Sequence, residues 1–149
     1  MILNLGVIDI PYSGAATERR TAKVASGTQT TGDVAGWLET KYGVMSVFAE
    51  AHEDAIVDAI TDSMQGALES MMMGAPAQPD PFGSGMGRIE QEFRTFLDTA
   101  EIEGMGIEGV PTRAAIEGVS HRFKSKRAGR RPSFIDTGLY QTSFRAWID

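Results

Sequence analysis

The sequence predicts an α+β subunit, with one long and two or three shorter helices packed on a small sheet formed from N- and C-terminal strands. Three observations carry this. An apolar, branched run, Ile2, Leu3, Leu5, Val7, Ile8 and Ile10, opens the chain and ends at Pro11-Tyr12-Ser13-Gly14, the pattern of a strand followed by a turn. From Val34 to Met71, apolar residues recur every three or four positions, the period of an amphipathic helix. The last six residues alternate, with Phe144, Ala146 and Ile148 on one face and Arg145, Trp147 and Asp149 on the other. A lone terminal strand is not stable, so the two end strands are expected to pair with each other.

The chain has 149 residues, 42% of them apolar and 8% aromatic. That length favours one domain, 1–149, and a chain of this size buries about 70% of its unfolded surface, enough for a core. Four stretches divide it: a strand and arm (1–31), a helical body (32–121), a basic loop (122–131) and a closing turn and strand (132–149). Within the arm, residues 13–31 are rich in Ser, Thr, Gly and Ala. The segment 21–25 reads either as a second strand or as part of an arm that orders only against a neighbour.

Thr31 is placed to cap the first helix, with Asp33 favourable in its first turn. The apolar stripe then runs through Trp37, Leu38, Tyr42, Met45, Phe48, His52, Ile56, Ile60, Met64 and Leu68, against a face carrying Glu39, Glu50, Glu53, Asp54, Asp58, Asp62 and Glu69. Unbroken, such a helix would run about 60 Å, longer than a small domain is wide. A break is therefore expected, with Gly43 as its natural place, or packing on other subunits. His52 lies on the stripe with Phe48 and Ile56 where metal partners would have to be, which marks it as a core or interface histidine. Met71-Met72-Met73 reads as an adaptable apolar plug.

Gly74 to Gly87, with three prolines and four glycines counting both ends, reads as a long loop. Its Gly83-Ser-Gly-Met-Gly87 run lacks the preceding strand and following Lys-Ser/Thr of a phosphate cradle, and is expected to be a hinge or turn. Helical spacing resumes from Arg88 to Ala100, with Ile89, Phe93, Phe96 and Leu97 inward. A glycine-punctuated loop follows to Val110. Pro111-Thr112 then opens a short helix capped by Thr112, with Ala115, Ile116 and Val119 on its apolar side.

Charge is unevenly placed. The net charge is −6, yet residues 33–117 hold sixteen Asp/Glu against four Lys/Arg, a balance of −12. Arg122, Lys124, Lys126, Arg127, Arg130 and Arg131 fall within ten residues that contain no acid. An acidic body with one cationic segment suits head-to-tail contact between identical subunits, or contact with DNA phosphates or an acidic partner. No helix-turn-helix, zinc finger or aromatic strand platform accompanies it, so sequence-specific readout is not expected. The chain has no cysteine, which excludes disulfides and thiolate metal sites and fits a reducing cytoplasm. No apolar run reaches the roughly 18–20 residues of a membrane span, and the opening residues lack the basic stretch of a secretory signal. No catalytic constellation, metal or cofactor is expected: the two histidines are not set with a serine and an acid in any recognisable motif.

Four of the twelve aromatics, Phe134, Tyr140, Phe144 and Trp147, lie in 132–149. There Asp136-Thr137-Gly138 reads as a helix cap, Leu139 and Tyr140 as the start of a short helical turn and Ser143 as its end. Asp136-Thr137-Gly138-Leu139-Tyr140, then Ser143, following Arg130-Arg131-Pro132, resembles the Asp-Thr-Gly-x-Leu/Tyr-x-x-Ser element of tailed-bacteriophage neck and tail-completion proteins. The resemblance covers about the last thirty residues. It implies a structural virion protein, assembled in the host cytoplasm, that forms a ring at the head–tail junction or tail end. Its partners would be copies of itself and neighbouring neck or tail proteins, with packaged DNA as a further contact of the basic residues and no membrane. Asp136, Thr137, Gly138, Tyr140, Ser143 and Trp147 would order the joint. The alternative is a non-specific DNA-binding accessory protein acting through the basic loop. Phe134-Ile135-Asp136-Thr137-Gly138 also resembles the aspartic-protease signature, but that fold needs a flap and long β-structure after the motif, and only eleven residues follow Gly138.

Overall fold

The computed structural model describes residues 1–11, 29–118, 129–135 and 137–149. The expected arm or strand at 13–28, Val119, the cations Arg122, Lys124, Lys126 and Arg127, and Asp136 fall outside these. The architecture is α+β: helices packed on a two-stranded antiparallel sheet made from the two ends of the chain. Strand β1 (Leu3–Val7) pairs with β2 (Phe144–Ile148) in the register Leu3↔Ile148 to Val7↔Phe144. Ile2 and Asp149 exchange both backbone hydrogen bonds, at 2.9 and 3.0 Å, and Ile8 N–H donates to the Ser143 carbonyl at 2.8 Å. The alternation of β2 holds as expected: Phe144 and Ala146 are buried, and Trp147 is exposed.

β1 is shorter than the apolar run suggests, because Ile8 and Ile10 leave the sheet to engage Thr31. The Thr31 hydroxyl donates to the Ile8 carbonyl at 2.6 Å and accepts from Ile10 N–H at 2.8 Å, and the residue is fully buried. Thr31 is thus spent on the strand, and the helix cap falls one residue earlier. Thr30 accepts from Asp33 N–H and the Asp33 carboxylate accepts from Thr30 N–H, closing a reciprocal capping box for α1 (Thr31–Tyr42).

The long amphipathic stretch is three helices, α1, α2 (Val44–Ala51) and α3 (Glu53–Met72). The first break is at Gly43, as the sequence suggests. Gly43 sits at φ 60°, a left-handed conformation that closes α1 and costs a glycine little. The open amides of α2 are taken by Glu39, whose carboxylate accepts from Met45 N–H at 2.7 Å, Ser46 N–H at 3.1 Å and the Ser46 hydroxyl. The second break, at His52, has no signal in the spacing. There the chain leaves helical geometry for one residue (φ −113°, ψ 21°).

Helix α4 (Gly83–Asp98) begins inside what reads as a loop. A Cβ at Gly85 would lie 2.6 Å from the Ala59 carbonyl oxygen and 2.9 Å from the Ser63 hydroxyl, so the glycine permits contact between the backbones of α3 and α4. Gly85 N–H donates to Ser63 Oγ at 2.6 Å, and the Ser63 and Ser84 hydroxyls are 2.5 Å apart. Ser63 thereby occupies one of the amides that a helix start leaves open. The rest of α4 faces inward as expected, with Ile89, Phe93, Phe96 and Leu97 buried beside Phe48 and Phe144.

Two further expectations are overturned. Met71-Met72-Met73 fills no gap among the described residues: Met72 and Met73 are 81% and 89% exposed, because α3 runs on past the start of α4. In α5 (Arg113–Glu117), Thr112 does cap, accepting from Ala115 N–H, and Ala115 is buried, but Ile116 faces out at 53% exposure. Five residues of helix bury only one face.

Gly85→Ala is expected to lower stability by about 1–3 kcal/mol in urea unfolding, because the added methyl must push two helix backbones apart. An unchanged midpoint would contradict the α3–α4 contact.

Candidate functional site

The carboxy-terminal stretch is fixed at three places. The first is a knot of polar groups. Ser133 is fully buried. Its N–H and hydroxyl both donate to Glu103 Oε1, at 2.9 and 2.7 Å, while the hydroxyl accepts from Thr112 N–H at 3.1 Å. Glu103 lies on a 3₁₀ turn, Glu101–Gly104, that follows α4. Its other oxygen pairs with Arg130 at 2.5 Å, and its side chain is only 8% exposed. Burial alone would push this carboxyl up, but the hydrogen bonds from Ser133 and Arg130 outweigh it and hold it below the ordinary carboxylate value.

Second, the end of the basic segment is drawn onto the body. Arg131 N–H donates to the Ala115 carbonyl at 3.1 Å, and its guanidinium donates to the Ile135 carbonyl at 2.6 Å. Phe134 follows with φ 68°, rare for a bulky side chain, and its ring packs 5.0 Å from that of Tyr42. Of the six clustered cations, Arg130 and Arg131 are therefore committed to holding this segment in place.

Third, the joint itself. Gly138 adopts φ 77° and occupies the cap position of α6 (Leu139–Ser143), so the cap falls on Gly138; the Thr137 hydroxyl accepts from Leu139 N–H at 3.4 Å. Asp136 lies outside the described residues. Tyr140 is buried with its ring edge-on to Phe93, and Ser143 is buried with its hydroxyl donating to the Tyr140 carbonyl at 2.9 Å. Phe144 stacks on Phe93 with centroids 3.8 Å apart and planes 15° from parallel. On the outer face, Trp147 lies over Gly6, where a Cβ would meet the indole at 3.0 Å.

His52 packs as a core-edge residue, stacked on Phe48 and edge-on to Phe96, with its Nε2 3.2 Å from Glu101. Among the described residues, no three His, Asp or Glu side chains converge as a cation site, and no helix is long and apolar enough to cross a membrane. A cleft of about 500 Å³ opens between the start of α4 and β2, lined by Asp80, Phe82, Met86, Glu90, Ala146 and Trp147. On α3, Val57, Met64, Leu68 and Met71 are between 43% and 54% exposed.

Gly138, Tyr140 and Ser143 lie together at the joint, Trp147 lies apart on the outer face of β2 over Gly6, and Arg130 alone of the described basic residues of 122–131 joins the polar knot. Glu103 and Ser133 escape sequence reading because they lie thirty positions apart in glycine-rich and loop contexts with no periodicity. No family model, curated protein or solved structure matches the chain.

Glu103 supplies a test through pH. A carboxyl held low in the folded state contributes stability that is complete above its ordinary value of 4.5 and is lost as pH falls through the folded value. Glu103→Gln is expected to cost about 1–3 kcal/mol at neutral pH and to flatten the fall in Tm between about pH 5 and pH 3. A parallel decline in wild type and variant would contradict the role of this knot.

Proposed function

We propose that this chain is a structural virion subunit that forms an oligomeric ring at the head–tail junction or tail end of a tailed bacteriophage. The observation that carries the reading is the arrangement of Gly138, Tyr140 and Ser143. Gly138 supplies a left-handed turn, Tyr140 and Ser143 are buried, and the strand they launch closes the sheet. The element that resembles the neck and tail-completion motif thus works as a docking turn, seating the chain's end on its beginning.

Two surface features support the same reading. Apolar side chains lie exposed along one helix, where a monomer has no use for them. The charge is divided between a body at −12 and a remainder at +6, which together make the net −6. Such a division sets register between like subunits. The pairing of Arg130 with Glu103 and of Arg131 with the Ile135 carbonyl weighs against the alternative, a DNA-binding accessory protein, because it engages two of the six cations within the chain.

The test is electron microscopy of the purified protein and of particles assembled without it, together with DNA affinity measured against salt. Ring-shaped oligomers, unjoined heads and tails, and weak DNA binding at physiological salt are expected. Joined, infectious particles in its absence would overturn the reading. Tight DNA binding that falls steeply with salt would favour the accessory-protein alternative.

A further inference from the structure

We propose that a second copy of this chain lays its β1 along the free edge of β2, so that the sheet runs on from subunit to subunit; the inference deepens the ring reading and rests on it. Ile2 and Asp149 exchange both of their hydrogen bonds, so alternate residues of the ladder aim their backbone groups at the partner strand and the others aim away. On β1 the residues that aim away are Leu3, Leu5 and Val7; on β2 they are Phe144, Ala146 and Ile148. The Phe144 carbonyl accepts from the Arg145 guanidinium at 2.7 Å. Among the described residues, the amides and carbonyls of Leu3, Leu5, Val7, Ala146 and Ile148 have no backbone partner. Neither strand carries a Pro, a Lys or a bulge, the devices that close an edge to neighbours.

The edge of β2 opens into the cleft of about 500 Å³ beside the start of α4. Ala146, Trp147 and Ile148 all line it, and residues whose side chains alternate between faces border one cleft together along the strand's edge. Across the cleft stands the face of α4 that carries Gly83, Gly87 and Glu90. A Cβ at Gly87 would meet nothing within 4 Å, so the space over this face is open. α3 meets α4 through Ser84, Gly85 and Arg88, on the other flank, and leaves the cleft clear. A row of free backbone donors and acceptors beside an open groove takes up an extended strand.

Charge and burial select the occupant. Both carboxylates of the cleft are engaged within the chain: Glu90 is met by Arg94 and Arg145, and Asp80 accepts from Phe82 N–H at 3.3 Å. The rest of the lining is chiefly apolar, so the fitting strand is an uncharged one. β1, Leu3-Asn4-Leu5-Gly6-Val7, has no charge and an open edge of its own. Its core-facing side chains, Leu3, Leu5 and Val7, are half-buried, whereas Phe144 and Ala146 beside them on β2 are buried. A further strand against β1 would cover them. One contact, β2 to the β1 of the next copy, therefore closes both edges. It joins two different surfaces of like subunits, the heterologous type that closes into rings. Pairing of β1 with β1 would be two-fold symmetric, would stop at a dimer and would leave the cleft empty.

The test uses the purified full chain in native mass spectrometry and light scattering across a concentration series, with amide hydrogen exchange below and above the assembly concentration. Gly87→Arg fills the cleft from an exposed helix position, and Leu5→Pro removes the central outward amide of β1 while sparing the ladder to β2. Wild type is expected to assemble beyond a dimer, with the amides of Leu3, Leu5, Val7, Ala146 and Ile148 exchanging about tenfold or more slowly once assembled. Each variant alone is expected to remain monomeric with an unchanged circular dichroism spectrum. Mixing the two should give a heterodimer and nothing larger, because one intact edge remains on each. Should Leu5→Pro misfold, Gly87→Arg and the exchange of Ala146 and Ile148 decide the matter alone. Assembly of Gly87→Arg as in wild type would overturn the inference while leaving the ring reading in place. A wild type that stops at a dimer, with slowing confined to β1, would show β1 paired with β1 and overturn the inference. So would a wild type that never exceeds a monomer, and particle images then judge the ring reading separately.

Discussion

The stack of Phe144 on Phe93 is the contact from which the rest of the arrangement follows. At 3.8 Å and 15° it places the first residue of β2 flat against the middle of α4. Phe48, edge-on to Phe93 at 5.1 Å, brings α2 to the same spot, and Tyr140 closes it from α6. Burying a phenylalanine of this kind is worth about 3–5 kcal/mol against alanine, a large share of a small domain's stability. With Phe144 seated, β2 is presented in register to β1, and the two ends of the chain become one sheet. Without it, neither strand has a partner that could hold it.

The polar contacts then fix direction rather than supply energy. Thr31 ties the exit of β1 to the start of α1, and Ser133 with Glu103 ties the entry of the closing stretch to the turn after α4. Each is a buried hydroxyl with both its donor and its acceptor capacity in use. An unpaired group at either place would cost more than the pair contributes.

Much of this is legible from residue spacing. The period-two pattern after Ser143, the break at Gly43, the inward face of α4 and the Thr112 cap all follow from local rules, because each is decided by residues within a turn or two. What escapes is decided by distant partners. Thr31 looks like a cap until Ile8 and Ile10 claim its hydroxyl. Gly83-Ser-Gly-Met-Gly87 looks like a hinge until the backbone of Ala59 explains the glycine at 85. The three methionines look like a plug because spacing reports amphipathicity, not whether another helix lies alongside. Glu103 and Ser133 carry no local signature at all. The division of charge along the chain is plain from the sequence, whereas the pairing of Arg130 with Glu103 requires the fold.

The paired strands β1 and β2 belong to the cooperative core. Amide hydrogen exchange measures this directly. Ile2 and Asp149 form a reciprocally bonded pair, so Asn4 with Trp147 and Gly6 with Arg145 are the next such pairs along the ladder. Those four amides should exchange as slowly as the amides of Phe93 and Phe96, through global unfolding. Exchange at the rate of a frayed end, while α4 stays protected, would contradict the claim that the seated carboxyl terminus holds the fold together.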